Sequence, residues 1–277
     1  MSEIKERALI FKAYFNLGNC YRTIGDYKKS IENLTKAVER EKDNASAHNN
    51  LGLAYFEDSN FEHALDEFNQ AIKIDPNSAP YENNLALTFY HLGELRTAIE
   101  HLDKALELDP NDARSYYNKG NTLMALGEFD EAHSNFDTAI SLDSKNCKFF
   151  HAKGLAYQEE SRYEEAIENF EKALSIQSDH TPSIYHLGVM FKKTHRNQEA
   201  LQSFTTVLQI MGEDCLVYES RGLVYQDMGD HHQAVRDFDS AVKKDENYSE
   251  VYFYRGNSKV ELHQFEDAIE DYNKQEN

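Results

Sequence analysis

Four asparagines recur at one position of the sequence, each 34 residues after the last. They are Asn16, Asn50, Asn84 and Asn118. Asparagine is a mediocre helix former, so helix propensity does not explain the run. Its side-chain amide carries both donors and an acceptor, which is what an extended peptide backbone needs. The run therefore indicates either a ladder that binds a peptide, which Asn19 and Asn121 could extend, or hydrogen bonds between neighbouring helices.

The same face is predicted to present aromatic side chains and a lysine, which could anchor a bound segment. These residues are Phe15, Phe56, Tyr90, Tyr117, Tyr185 and Lys192. Together with the asparagines they form the candidate partner-binding groove. Because other basic residues also fall on this face, it is predicted to be less acidic than the rest of the surface, so an acidic or mixed peptide would be tolerated.

No pattern of residues points to catalysis, so we predict a protein without enzymatic activity, cofactor or metal. The sequence contains no glycine-rich phosphate loop, no H-E-x-x-H motif and no nucleophile elbow. The one adjacent histidine pair, His231 and His232, is predicted to lie exposed in a break between helices rather than in a metal site. The cysteines Cys20, Cys147 and Cys215 are widely spaced, which is typical of free thiols in a reducing compartment.

The asparagine column belongs to a 34-residue repeat that runs through the chain. Eight positions in one phase hold only glycine or alanine: Gly18, Gly52, Ala86, Gly120, Gly154, Gly188, Gly222 and Gly256. Twelve residues later a second small column begins with Ser30 and continues with alanines from Ala64 to Ala268. Four residues further on lies a large apolar column: Leu34, Phe68, Leu102, Phe136, Phe170, Phe204, Phe238 and Tyr272. Three residues after that comes a third small column, which includes Ala37, Ala71 and Ala105. Such steps of three and four residues predict helices, two in each repeat.

The glycine column indicates that the two helices of a repeat pack closely. A glycine inside a helix costs roughly 1 kcal/mol relative to alanine, so seven of them in one column need a compensating contact. The break between the helices is often marked by a second glycine: Gly25, Gly93, Gly127 and Gly229. Four basic residues precede column glycines where leucine is expected, and their long stems can cover apolar surface: Lys119, Lys153, Arg221 and Arg255.

This pattern resembles the tetratricopeptide repeat, as in the stretch Leu51-Gly52-Leu53-Ala54-Tyr55, in Ala64 to Phe68, and in Ala71 and Pro76. The resemblance implies an all-α fold, a right-handed α-solenoid of tandem helix-turn-helix repeats whose first helices line a concave groove. The repeats are predicted at residues 11–44, 45–78, 79–112, 113–146, 147–180, 181–214, 215–248 and 249–277, after an N-terminal helical extension at 1–10. We expect residues 1–277 to form a single solenoid domain.

Two known uses of such repeats can be compared with this sequence. The asparagine run resembles the ladder in the repeat region of O-linked N-acetylglucosamine transferases, although the chain carries no transferase domain. Cochaperones of the family hold a chaperone's terminal carboxylate in a clamp of basic residues and asparagines. Repeats one to three match that clamp only at Asn19 and Asn50, and its basic positions hold Phe15, Pro80 and Asn84, so carboxylate-clamp binding is not expected.

The charge and hydropathy of the chain exclude some partners. A formal net charge of -20 repels phosphate backbones, so we expect no nucleic acid, and the charge serves solubility or a basic partner. The sequence has no apolar run of membrane-spanning length and no apolar signal region. We therefore predict no membrane insertion and a cytoplasmic, intracellular location, with a ciliary or cytoskeletal one as the alternative.

Taken together, the sequence predicts a non-catalytic scaffold that binds a peptide segment or partner protein in its groove. One alternative is the substrate-recognition region of a larger enzyme. Another is a structural component of a large cytoskeletal or ciliary assembly. Since the chain stops within the second helix of its last repeat, truncation or end-to-end self-association is expected there.

Overall fold

The computed structural model describes residues 2–275, which contain sixteen α-helices and no strand. The helices are α1 Ser2–Thr23, α2 Tyr27–Arg40, α3 Ala45–Glu57, α4 Phe61–Ile74, α5 Ala79–His91, α6 Leu95–Leu108, α7 Ala113–Ala125, α8 Phe129–Leu142, α9 Cys147–Glu159, α10 Tyr163–Ile176, α11 Thr181–Lys193, α12 Asn197–Met211, α13 Cys215–Asp227, α14 His231–Lys244, α15 Ser249–Glu261 and α16 Phe265–Gln275. Every predicted repeat from the second onward starts at the first residue of a helix. The predicted N-terminal extension is helical from Ser2 and continues into the first repeat.

The chain divides into two compact units, Met1–Asp143 and Ser144–Asn277, each holding four hairpins. Within each unit every helix packs against the next one along the chain, as expected for stacked hairpins. The predicted all-α fold of tandem helical hairpins is confirmed. That all eight hairpins form one domain stays a prediction.

The small and large columns of the repeat form the core of each hairpin. Almost all the large column residues from Leu34 to Phe238 are fully buried, as are the alanines of the second column. A Cβ placed on Gly154 would lie 2.7 Å from Cε1 of Phe170, and the other column glycines face the aromatic or leucine of their own repeat in the same way. The glycine column therefore makes room for the large side chain of the second helix, as the spacing predicted.

The break between the two helices of each repeat contains one residue in the left-handed region. In four repeats that residue is glycine, at φ values of 76° to 80° for Gly25, Gly93, Gly127 and Gly229. In the other four it is Ser59, Ser161, His195 or His263, at φ values of 58° to 61°. A left-handed backbone is costly for a residue with a Cβ. Since serine and histidine adopt it here all the same, the packing of the two helices, rather than glycine itself, determines the conformation of the break.

Two of the basic residues that replace the expected leucine form buried ion pairs. Arg221 on α13 donates two hydrogen bonds to Asp237 on α14, from Nε at 2.8 Å and from Nη2 at 2.7 Å. One repeat later Arg255 pairs with Asp271 in the same manner, and Nζ of Lys259 lies 2.8 Å from that carboxylate. These arginines therefore do more than cover apolar surface, because each neutralises a carboxylate that the hairpin buries.

Candidate functional site

The first helices of neighbouring repeats contact one another within each unit, α1 with α3, α3 with α5 and α5 with α7 in the first unit, and α11 with α13 and α13 with α15 in the second. Their side chains meet at an offset of 35 residues. Such pairs are Arg22 with Glu57 at 2.6 Å, Asn49 with Asn84 at 2.8 Å, Asn83 with Asn118 at 2.8 Å, Tyr185 with Ser220 at 3.2 Å and Lys192 with Asp227 at 3.6 Å. Since the repeat is 34 residues long, each pair joins a position to the one just after its equivalent.

Two of the four column asparagines are used in this inter-repeat bonding. Asn84 donates its amide to Oδ1 of Asn49, and Asn118 donates to Oδ1 of Asn83. Asn118 is only 6% exposed. Of the two interpretations that the sequence allowed for the run, bonding between neighbouring helices describes these two residues.

The asparagines of the first two repeats are more open. Asn16 is exposed and Asn50 is half-buried, with its amide donating to the carbonyl of Ser46 at 2.7 Å in its own helix. Oδ1 of Asn19 and Nε of Arg22 are buried atoms for which the described residues provide no hydrogen-bond partner. The first repeat therefore has, in α1, a buried acceptor and a buried donor whose hydrogen-bonding capacity is unused. Asn121, in the fourth repeat, is half-buried.

The predicted aromatic anchors are all half-buried, and most pack against rings of their own unit. The ring centroid of Phe15 lies 5.7 Å from that of Phe11. Phe56 meets Phe61 at 5.5 Å and His91 at 5.1 Å, and Tyr90 meets His91 at 5.6 Å. Tyr117 and Tyr185 pack on the column residues Phe136 and Phe204. These rings therefore help to pack the hairpins and remain only partly exposed; their role as anchors for a partner stays a prediction.

Three histidines of repeats five and six form a cluster that the sequence argument missed. Nδ1 of His151 lies 3.0 Å from Oγ of Ser183, and Nδ1 of His180 lies 2.8 Å from the same hydroxyl. The rings of His151 and His186 meet at 5.6 Å. The offset from His151 to His186 is again 35 residues, so the offset could have found this contact. Burial, with smaller contributions from His186 and His180, lowers the pKa of His151 to about 3.

Replacing His151 with glutamine is expected to reduce the loss of stability on acidification. Between pH 6.5 and 3 the unfolded chain protonates this side chain while the folded chain does not, so stability falls as the pH falls through that window. One such group contributes a slope of up to about 1.4 kcal/mol per pH unit. Urea unfolding of His151→Gln and of a His232→Gln control, at a series of pH values, measures the slope. Equal slopes in both variants would contradict this assignment.

Other candidate positions are placed as follows. His231 and His232 occupy the first turn of α14, after the N-cap Asp230, so the prediction that they lie in the break is wrong. The side chain of Asp230 accepts an amide hydrogen bond of the first turn, so the helix starts immediately before the pair.

Within residues 2–275 no group of three or more histidines, cysteines or acids is arranged to hold a metal ion, and the three cysteines are free thiols. No described helix combines the length and apolarity that a bilayer crossing requires.

The outer face of the last hairpin exposes two large apolar side chains. Phe265 and Ile269 on α16 are exposed, whereas the equivalent residues of the second repeat, Phe61 and Leu65, are half-buried. End-to-end contact through this face stays a prediction. Glu276 and Asn277 lie outside the described residues.

The tandem hairpins, with small columns that admit one large side chain per repeat, define a helical-repeat protein. Family models of the tetratricopeptide repeat match residues 9–77, 86–127, 113–146, 148–180 and 220–276. The chain belongs to the tetratricopeptide-repeat family. No curated protein sequence matches it.

Solved structures with the same architecture include a chain of the APC/C hetero-tetramer Cut9–Hcn1, with a TM-score of 0.72 at 18% identity over 87% of this chain. The match spans 48% of that chain, about half its length. PilF of Pseudomonas aeruginosa matches at a TM-score of 0.65 and 24% identity, over 73% of this chain and 92% of its own. YrrB, described as a TPR protein with an unusual peptide-binding site, matches at 0.50 and 25%, over 62% and 89%. The first two likenesses show the fold alone.

Proposed function

We propose that this protein is a non-catalytic interaction scaffold that binds an extended peptide segment on the first-helix face of repeats one and two. The observation that carries the proposal is the pair of buried atoms without partners, Oδ1 of Asn19 and Nε of Arg22. A buried polar atom left unsatisfied costs about 1–3 kcal/mol, so such atoms in a native fold call for a partner. A peptide backbone supplies one N–H and one C=O per residue and would satisfy both; because both atoms are shielded from solvent, the side chains of Asn19 and Arg22 must turn to meet it.

The surroundings of these two atoms suit a peptide. Asn16 is exposed and lies one helical turn before Asn19. Asn50 is the equivalent of Asn16 in the second repeat, so side-chain amides are available along the first-helix face of both repeats. Phe15 and Phe56 are half-buried and keep part of their rings open for an apolar side chain. Arg22 also pairs with Glu57, which fixes its guanidinium on this face. The peptide-binding site described for the similar protein YrrB supports the same general role.

The combined variant Asn16→Ala, Asn19→Ala and Asn50→Ala is expected to weaken the binding of at least one class of selected peptides by at least about tenfold. It removes three amides, each worth about 0.5–1.5 kcal/mol in a net hydrogen bond. The probes are peptides selected from a displayed library of random short sequences against the full chain. Their dissociation constants are then measured by calorimetry for the wild type and the variant.

A matched control is the double variant Asn84→Ala and Asn118→Ala. It removes two amides from the same column, but those amides bond to Asn49 and Asn83 rather than pointing at an open surface. We expect it to lower the melting temperature and to leave the selected peptides bound. Equal losses of affinity in both variants would refute the proposed site. A library that yields no binder would favour a structural role in an assembly.

A further inference from the structure

The junction between repeats six and seven departs from the repeat at two positions. Met211 stands where the other junctions hold an acid or an amide: Glu41, Asp75, Asp109, Asp143, Gln177 and Asp245. Leu216 stands where the other repeats hold a polar residue or proline: Lys12, Ser46, Pro80, Arg114, Lys148, Pro182 and Glu250. Met211 is 63% exposed and Leu216 is 52% exposed. Two large apolar side chains thus replace solvated ones at a single junction.

The backbone of this junction is also specific to it. Helix α12 runs one residue further than the other second helices and ends at Met211. It is followed by Gly212 at φ 84° and ψ -158°, a conformation essentially restricted to glycine. Met211 therefore occupies one additional helical position, and the chain changes direction at Gly212.

Met211 and Leu216 stand at the rim of an open cavity of about 440 Å³ that lies entirely within repeats six and seven. Val207 and Val217 are nearly fully buried and form its floor, and Tyr185 of α11 lines it. The volume falls in the range of about 300–1,000 Å³ that is common for ligand pockets. An apolar floor with an apolar exposed rim is suited to one large apolar side chain of a partner.

The residues that line the cavity include one acid, Asp214, and no lysine or arginine. The carboxylate of Asp214 caps α13 by accepting from the amide of Val217 at 3.1 Å. Asp179 and Glu213 lie in the turns that precede α11 and α13, and Glu213 is paired with Lys244. Burial lowers the pKa of the lining residue His186, so its imidazole is neutral at neutral pH and adds no positive charge. Within a chain of net charge -20, this rim favours cationic groups on the partner.

We propose that this cavity is a docking site for a peptide segment that inserts one large apolar side chain and carries lysine or arginine beside it. The proposal rests on the general role as an interaction scaffold proposed above, but it uses residues of repeats six and seven and none of the asparagines. The two sites can therefore fail separately. The apolar anchor is held by Met211, Leu216 and the floor, and the flanking cation is held by Asp214.

The test uses the same displayed library of random short peptides, selected against the full chain. We expect one class of selected peptides to share a leucine, methionine or phenylalanine with lysine or arginine nearby. Their affinity should fall at least about tenfold for Met211→Asp combined with Leu216→Ser, and should fall on raising the salt concentration. It should be unchanged in the Asn16→Ala, Asn19→Ala and Asn50→Ala variant.

The matched control is Leu92→Ser combined with Met228→Ser, which removes two exposed apolar side chains elsewhere and should leave these peptides bound. Circular dichroism of each variant checks that the helices are retained. Absence of the apolar and basic class, or equal binding to wild type and the cavity variant, would overturn the proposal. A wild-type dimer in sedimentation that the cavity variant abolishes would assign the patch to a second copy of this chain and would overturn it as well.

Discussion

Gly154→Leu is expected to destabilise the protein by about 1–3 kcal/mol or more, because the added side chain has no space. A Cβ at this position would already lie 2.7 Å from Cε1 and 2.9 Å from Cδ1 of Phe170, which is itself fully buried. The ring must leave its position or α9 and α10 must separate. Thermal melting followed by circular dichroism measures the loss, and an unchanged melting temperature would contradict the packing assigned to the glycine column.

The third repeat supplies a natural control for this prediction. At the positions equivalent to Gly154 and Phe170 it has Ala86 and Leu102, both buried, so a smaller second residue accommodates the extra methyl group of the first. The double variant Gly154→Ala and Phe170→Leu should therefore lose less stability than the sum of its two single variants. A coupling free energy of about 0.5–3 kcal/mol is typical for residues in contact. Strict additivity would show that the two positions do not share a space.

The hairpins could be predicted from the sequence because their determinants are local and repeated. Column glycines such as Gly52 face a large residue of their own repeat, 16 positions later, and seven copies of that pair, with Ala86 and Leu102 as the eighth, make the pattern visible. Polar residues before the helices, such as Asn44 and Asp112, accept amide hydrogens of the first turn and mark the repeat starts. From the second repeat onward the predicted starts coincide with the first residues of helices, whereas the predicted first repeat begins inside α1.

The site was harder to predict because the role of a side chain depends on a residue in the next repeat. Asn50 and Asn118 occupy equivalent positions of their repeats. Asn118 donates a hydrogen bond to Asn83, which lies 35 residues earlier. The residue 35 positions before Asn50 is Phe15, which cannot accept such a bond. Aligning the repeats at their period of 34 residues compares equivalent positions only. The side chains that touch between repeats are 35 residues apart, so that alignment does not pair them. The same offset joins His151 to His186, which is why that contact was missed.

The cavity of repeats six and seven was not predictable from the sequence for a different reason. Met211 and Leu216 were not conspicuous as single residues, because isolated exposed apolar side chains are normal. They become informative only when compared with the polar residues at the same positions of the other repeats and when the fold brings them to one opening. Departures from a repeat, rather than its consensus, are thus the positions to compare when the site of an individual repeat protein is sought.

Arg221→Met is expected to destabilise the protein by about 3–5 kcal/mol, because it leaves Asp237 buried without its cation. Asp237 is 6% exposed and accepts two hydrogen bonds from the guanidinium, which also donates to Thr205 at 3.1 Å. Arg255→Met removes the equivalent arginine of the next repeat but leaves Lys259 at 2.8 Å from Asp271, so it should cost less. Urea denaturation compares the two, since an ionic denaturant would screen the charges.

The sixth repeat provides the design for a rescue. At the positions of Arg221 and Asp237 it has Leu187 and Ser203, both buried, with the serine hydroxyl bonded to the carbonyl of Glu199 in its own helix. Arg221→Leu combined with Asp237→Ser should therefore recover most of the stability lost by Arg221→Met, because removing both charges leaves no buried ion to be compensated. A double variant as unstable as the single one would mean that the guanidinium's contacts with Thr205 and Tyr218, rather than the ion pair, stabilise this hairpin.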